Sequence, residues 1–154
     1  MVIVMTDRVK FISRGEIKRL LNDGVDLSEY AIISISDSSY EYDEMINLLD
    51  GYNYASFMFA DSDANDGISE LQAKAILTFI GDNPGSKFLV HCFAGVSRSG
   101  AVAKFINEFY EYGDWYLEDY NGYNRRVYNK LLAAAGLSLA AYYEQLEKED
   151  RKDA

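Results

Sequence analysis

Cys92 and Arg98 stand six positions apart, after the apolar run Lys87-Phe88-Leu89-Val90 and at the start of a helical pattern. If the residues between them, Phe93, Ala94, Gly95, Val96 and Ser97, curl back as a loop, the backbone N–H groups from Phe93 through Arg98 aim into one concavity. The following helix adds the positive end of its dipole. Such a cradle holds an oxyanion. Gly95 gives the turn a residue that enters the left-handed region cheaply. A thiol at its floor, among donors and beside a guanidinium, falls below its reference pKa of about 8.5 and stands as the nucleophilic thiolate. Arg98 presents a rigid fork that matches two phosphoryl oxygens, as a lysine's point charge does not. Ser99 is placed to donate its hydroxyl to the thiolate as it leaves. His91 is read as shaping the loop through hydrogen bonds rather than shuttling protons.

Positioning these groups requires a strand before the loop and a helix after it, and the chain supplies both. Val9 to Ser13 reads as a short strand, and Ile17, Leu20 and Leu21 mark one face of a helix that Asn22-Asp23-Gly24 closes. Ala31 to Ser36 reads as a buried strand ended by Asp37-Ser38-Ser39, with a short helix from Asp43 to Leu49 after it. Tyr54 to Phe59 is a third strand, followed by the polar loop Asp61 to Gly67. Ser69 caps a helix through Leu71, Ala75, Ile76 and Phe79, which Gly81 to Gly85 ends. The strand Lys87 to Val90 then runs into His91-Cys92. Val102, Phe105, Ile106 and Phe109 recur at helical spacing between Ser99 and Tyr112, and further helical patterns follow at Tyr128, Leu131 and Leu132 and at Leu139 to Leu146, before a charged tail over 147–154. This alternation predicts one α/β domain spanning 1–154, three-layered, with a mostly parallel central sheet flanked by helices.

The stretch His91-Cys92-Phe93-Ala94-Gly95-Val96-Ser97-Arg98-Ser99 resembles the His-Cys-x5-Arg-Ser signature of the protein tyrosine phosphatase superfamily, closest to the small dual-specificity-like phosphatases. The resemblance covers roughly Ala31 to Tyr112. It implies a phosphatase P-loop between a central strand and a helix, with Phe93 to Arg98 binding the phosphate. It also implies hydrolysis of phosphotyrosine, with phosphoserine and phosphothreonine as further substrates, through a phosphocysteine on Cys92. The family's general acid is an aspartate on a loop some thirty residues ahead of the cysteine. Asp61 stands there, with Asp63 and Asp66 as alternatives. The implied partner is a phosphoprotein or phosphopeptide. Two other readings remain: a phosphoinositide or RNA 5′-phosphatase, for which Arg125-Arg126 would supply charge from outside the loop, and a binding-only pseudophosphatase.

The acidic loop also places Asp61, Asp63 and Asn65 at positions 1, 3 and 5 of a calcium-loop pattern. That pattern fails at Asp66, where it needs glycine, and at Gln72, where it needs glutamate. The tyrosines from Tyr110 to Tyr143 read as core and groove lining rather than as modification sites. A single cysteine excludes an internal disulfide framework and suits a reducing compartment, so a cytoplasmic location is expected. One Cys and one His do not make a structural zinc site, and neither metal nor cofactor is expected. The net charge of −10 opposes a broad nucleic-acid-binding or anionic-membrane-binding face. Met1 to Met5 is too short for a secretory segment, and no stretch approaches a membrane span.

Overall fold

The computed structural model describes residues 8–136; the pattern from Leu139 to Leu146, the charged tail and Met1 to Met5 lie outside the described residues. Strands and helices alternate as β1 (Val9–Ser13), α1 (Arg14–Asn22), β2 (Tyr30–Ser36), α2 (Ser39–Leu48), β3 (Tyr54–Met58), α3 (Glu70–Gly81), β4 (Lys87–Cys92) and α4 (Arg98–Phe109). Two further helices follow, α5 (Trp115–Asp119) and α6 (Arg125–Ala134). The sheet runs in the order β1-β4-β2-β3, with every pairing parallel.

The two inner strands, β2 and β4, are buried almost throughout, which is why they read as apolar runs rather than alternating patterns. Successive residues still face opposite ways. Ile33, Ile35, Phe88 and Val90 join a core with residues of α3, α4 and α6. Ile32 and Leu89 join a second core with Ile17 of α1 and Met45 of α2. The sheet therefore lies between two helical layers, the three-layer α/β arrangement.

Local chemistry sets the helix starts. Ser13, Ser38 and Ser69 each accept a hydrogen bond from the backbone N–H three residues on, at Glu16, Glu41 and Gln72. Gln72, which breaks the calcium pattern, returns its side chain to the Ser69 backbone and completes a capping box. Because Ser38 caps α2, that helix starts at Ser39 rather than Asp43. Helix α4 stops at Phe109 rather than Tyr112, since Tyr110 ends it and Glu111 turns left-handed at φ 54°. Among the described residues no helix is long and apolar enough to cross a membrane.

A fully parallel sheet brings all strand C-termini to one edge, where ligands bind in folds of this architecture. Ser13 and Cys92 end their strands on that edge, and Asp37 and the Asp61 loop follow theirs.

Candidate active site

Strand β4 ends at Cys92 and α4 begins at Arg98, so the intervening loop joins an inner strand to the most buried helix among the described residues. Ten consecutive residues of α4, Arg98 to Asn107, are buried. The Cys92 side chain is itself buried, with Sγ 3.1 Å from the Ser99 hydroxyl. Burial pushes its thiol pKa up, but the Ser99 hydroxyl and the backbone N–H groups of Ser99, Gly95 and Val96 outweigh that and hold it below the ordinary thiol value. Hydrogen bonds to the charged form favour it. Gly95 is left-handed at φ 70°, and it is required for a second reason invisible in the sequence. A Cβ there would lie 2.3 Å from the Ser13 nitrogen and 2.5 Å from the Ile12 carbonyl carbon, so the loop packs bare backbone against the end of β1. The Arg14 N–H donates to the Phe93 carbonyl at 3.2 Å, pinning the loop's start to α1.

Arg98 is held from one corner. Its Nη1 donates to Asp37 Oδ1 at 2.5 Å and to the Phe59 carbonyl at 2.7 Å, joining the ends of β2 and β3. Nε is buried without a hydrogen-bond partner among the described residues, which leaves the Nε edge of the fork for a ligand. His91 pairs with Ser34 on the neighbouring strand, Nε2 to Oγ 2.6 Å, at a register position that the two strands share. Its pKa is lowered to about 4. Burial is the main cause; a hydrogen bond at the Cys92 backbone opposes it, and the charges of Arg14 and Arg98 reinforce it. A neutral imidazole buried between two strands fixes the end of β4.

The three loop aspartates separate clearly. Asp61 Oδ1 accepts hydrogen bonds from the Ser97 hydroxyl at 2.8 Å and from Asn124 Nδ2 at 2.7 Å, which sets its carboxylate against the Cys92 loop. Asp63 and Asp66 are exposed, and their backbone carbonyls accept from Arg126 Nη1 at 3.3 Å and from the Ala60 N–H at 3.0 Å. Arg126 also donates to the Ile68 carbonyl, so it braces the acidic loop. Its neighbour Arg125 lies over the Tyr123 ring at 4.0 Å and donates to the carbonyls of Asn121 and Tyr123. An open cleft of about 260 Å³ runs from Asp61 and Ser97 to Tyr123 and Arg125.

Three residues of this arrangement carry no site role in the sequence reading, Asp37, Tyr120 and Asn124, although Asp37 reads as ending a strand and Tyr120 as core or groove lining. The Tyr120 hydroxyl donates to the Val96 carbonyl at 2.6 Å, and burial, then Tyr116 and Cys92, hold its pKa above the ordinary tyrosine value. It stays a donor. Gly100 makes room for its ring, since a Cβ there would meet Tyr120 Cε2 at 2.5 Å. Asn124 donates its backbone N–H to the Ser97 carbonyl at 3.0 Å and caps α6 through Val127. Asp37 and Asn124 do leave a signal, one ending a strand at the sheet's carboxyl edge and the other preceding a helical pattern.

No protein-family model matches the sequence, and no curated protein matches it. Solved structures do. The human tyrosine phosphatase-like serine/threonine/tyrosine-interacting protein aligns at 18% identity over 86% of this chain and 93% of its own, with a TM-score of 0.52. The tyrosine phosphatase OH1 of Orf virus aligns at 18% identity over 84% and 83%, TM-score 0.46, and Tk-PTP in its active form at 19% over 94% and 92%, TM-score 0.45. The human match establishes that the chain has the fold of the tyrosine phosphatase-like proteins.

Proposed function

We propose that this chain is a cysteine-dependent phosphatase that hydrolyses phosphotyrosine, and phosphoserine or phosphothreonine as well, through a phosphocysteine at Cys92. One observation carries the reading: a buried thiol held below its ordinary pKa by the Ser99 hydroxyl and by the N–H groups of Gly95, Val96 and Ser99. A thiolate so held is a nucleophile facing donors that suit phosphoryl oxygens. In the first step Cys92 Sγ attacks phosphorus; the S–P bond forms while the bond from phosphorus to the leaving oxygen breaks. Asp61 gives that oxygen its proton. In the second step a water attacks phosphorus and passes a proton to the Asp61 carboxylate. The S–P bond then breaks, its electron pair returns to Sγ, and Ser99 donates to the thiolate as inorganic phosphate departs. Arg98 grips the phosphoryl group in both steps.

Cys92→Ser should abolish turnover of an aryl phosphate yet still bind vanadate, while Asp61→Ala should slow turnover by about 10² to 10⁴. Turnover retained without the thiol overturns the mechanism. A second reading, a phosphoinositide or RNA 5′-phosphate substrate, is favoured by the exposed Arg125 at the end of the cleft. Against it stand the uncharged side chains of Phe93, Ala94 and Val96 and the engagement of Arg126 with the acidic loop. Phosphate release from a phosphotyrosine peptide, a phosphothreonine peptide and inositol lipids compared side by side separates these substrates. Any turnover excludes a binding-only protein.

A further inference from the structure

We infer that Asn124 is the positioning residue of the proton donor, an inference that rests on the reading of Asp61 as the general acid. The Asn124 side chain is buried and its two polar atoms are divided between two tasks. Oδ1 accepts from the Val127 N–H at 2.9 Å, the N-cap of α6, and Nδ2 donates to Asp61 Oδ1 at 2.7 Å. The cap fixes which way the amide points: turned over, it would set an NH2 against the Val127 N–H and an oxygen against a carboxylate. The Ser97 hydroxyl meets the same Asp61 oxygen at 2.8 Å. With both donors on Oδ1 and none among the described residues on Oδ2, the transferable proton belongs to Oδ2. The carboxyl plane is fixed by one donor from the Cys92 loop and one from α6.

The rest of the α6 start serves the same end. The Asn124 N–H is tied to the Ser97 carbonyl, and Arg126 grips the Asp63 and Ile68 carbonyls across the acidic loop. The geometry therefore explains why Asp61 and not its neighbours delivers the proton. All three aspartates are exposed, but the fold holds Asp61 by its carboxylate and Asp63 and Asp66 only by their backbones.

The test uses two variants that keep the cap and remove the donor, Asn124→Ser and Asn124→Asp, since Ser and Asp are good N-caps. Each is assayed with a phenolic ester that leaves poorly and with an aryl phosphate whose phenol is acidic enough to leave unaided. Because Asp61 also serves the second step, which both substrates share, the readout is kcat/KM, which reports the first: loss of positioning should lower it by about 10- to 100-fold on the poor leaving group and leave it within about threefold on the good one. Introduced into Asp61→Ala, Asn124→Ser should cost nothing further, because the group it positions is gone. Equal slowing on both substrates, no slowing on either, or additive loss in the double variant overturns the inference. If Asp61→Ala itself fails to distinguish the two substrates, the acid assignment falls and the positioning role with it; if it distinguishes them and the Asn124 variants do not, only Asn124 loses its role. Thermal melting of both variants identifies a folding defect, against which the substrate ratio stays readable.

Discussion

Burying His91 between β2 and β4 ties stability to pH in a direction that can be worked out. Its pKa is about 4 in the folded chain against 6.5 for a free side chain. Below pH 6.5 the unfolded chain therefore takes up a proton that the folded chain refuses, and stability present above 6.5 is lost as pH falls toward 4. The shift corresponds to about 3 kcal/mol. Urea unfolding of wild type and His91→Asn at several pH values isolates it from the carboxylates: wild type should lose that much more stability than the variant across the window, and parallel losses would remove the imidazole as the cause. The pairing His91 makes was only half legible. The residue's type and place beside Cys92 announced a structural histidine, but Ser34 is an unremarkable serine inside an apolar strand and becomes its partner only through strand register. The same limit hid Asp37. In sequence it reads as a strand terminator, and its role in holding Arg98 depends on β2 lying beside β4.

Helix α5 shows how an element without a periodic signature can govern the site. It has five residues, too few to display a helical repeat, and lies in a tyrosine-rich stretch. What makes it helical is its surroundings. Asp114 caps its start, Asn107 of α4 grips the Asp114 backbone through both amide atoms, and the buried Lys104 donates to the last carbonyls at Leu117 and Glu118 while pairing with Glu108. A cation on the final carbonyls of a helix also suits its dipole. So held, α5 delivers Tyr120 to the Val96 carbonyl. Two substitutions separate the ring from the hydroxyl. Gly100→Ala drives a methyl into the ring and should cost about 1–3 kcal/mol of stability, the usual range for overpacking, and weaken vanadate binding as Val96 loses its support. Tyr120→Phe keeps the packing, so its stability cost should stay near 1 kcal/mol, that of one hydrogen bond, while oxyanion affinity still falls. Unchanged affinity in both variants would show that the loop holds its shape without this prop.

At the scale of the whole molecule, layer order was legible and strand order was not. Alternating strand and helix patterns demand crossover connections and hence parallel pairing, but nothing local states that β1 pairs with β4 across most of the chain. That non-local pairing places the Cys92 loop against bare backbone at Ser13 and Ile12, and so turns a spacing into a cradle. Charge is the other global property. A chain of net charge −10 repels anionic substrates before any contact forms, yet the proposed activity requires the loop to accept a phosphoryl dianion. The local donors act within hydrogen-bond range, whereas the global field reaches only a Debye length, about 30 Å at 0.01 M salt and about 3 Å at 1 M. Salt should therefore act on the flanks of a substrate more than on its phosphate. For two phosphotyrosine peptides of equal length, one flanked by glutamates and one by lysines, kcat/KM should rise with salt for the first and fall for the second. A gap of about tenfold at low salt should close as the field is screened, a size typical of electrostatic steering. Since wild type and peptide keep their contacts throughout, the change should appear in kcat/KM and leave kcat flat. Salt slopes of the same sign for both peptides would mean that the flanks meet local groups such as Arg125 rather than the field of the whole chain.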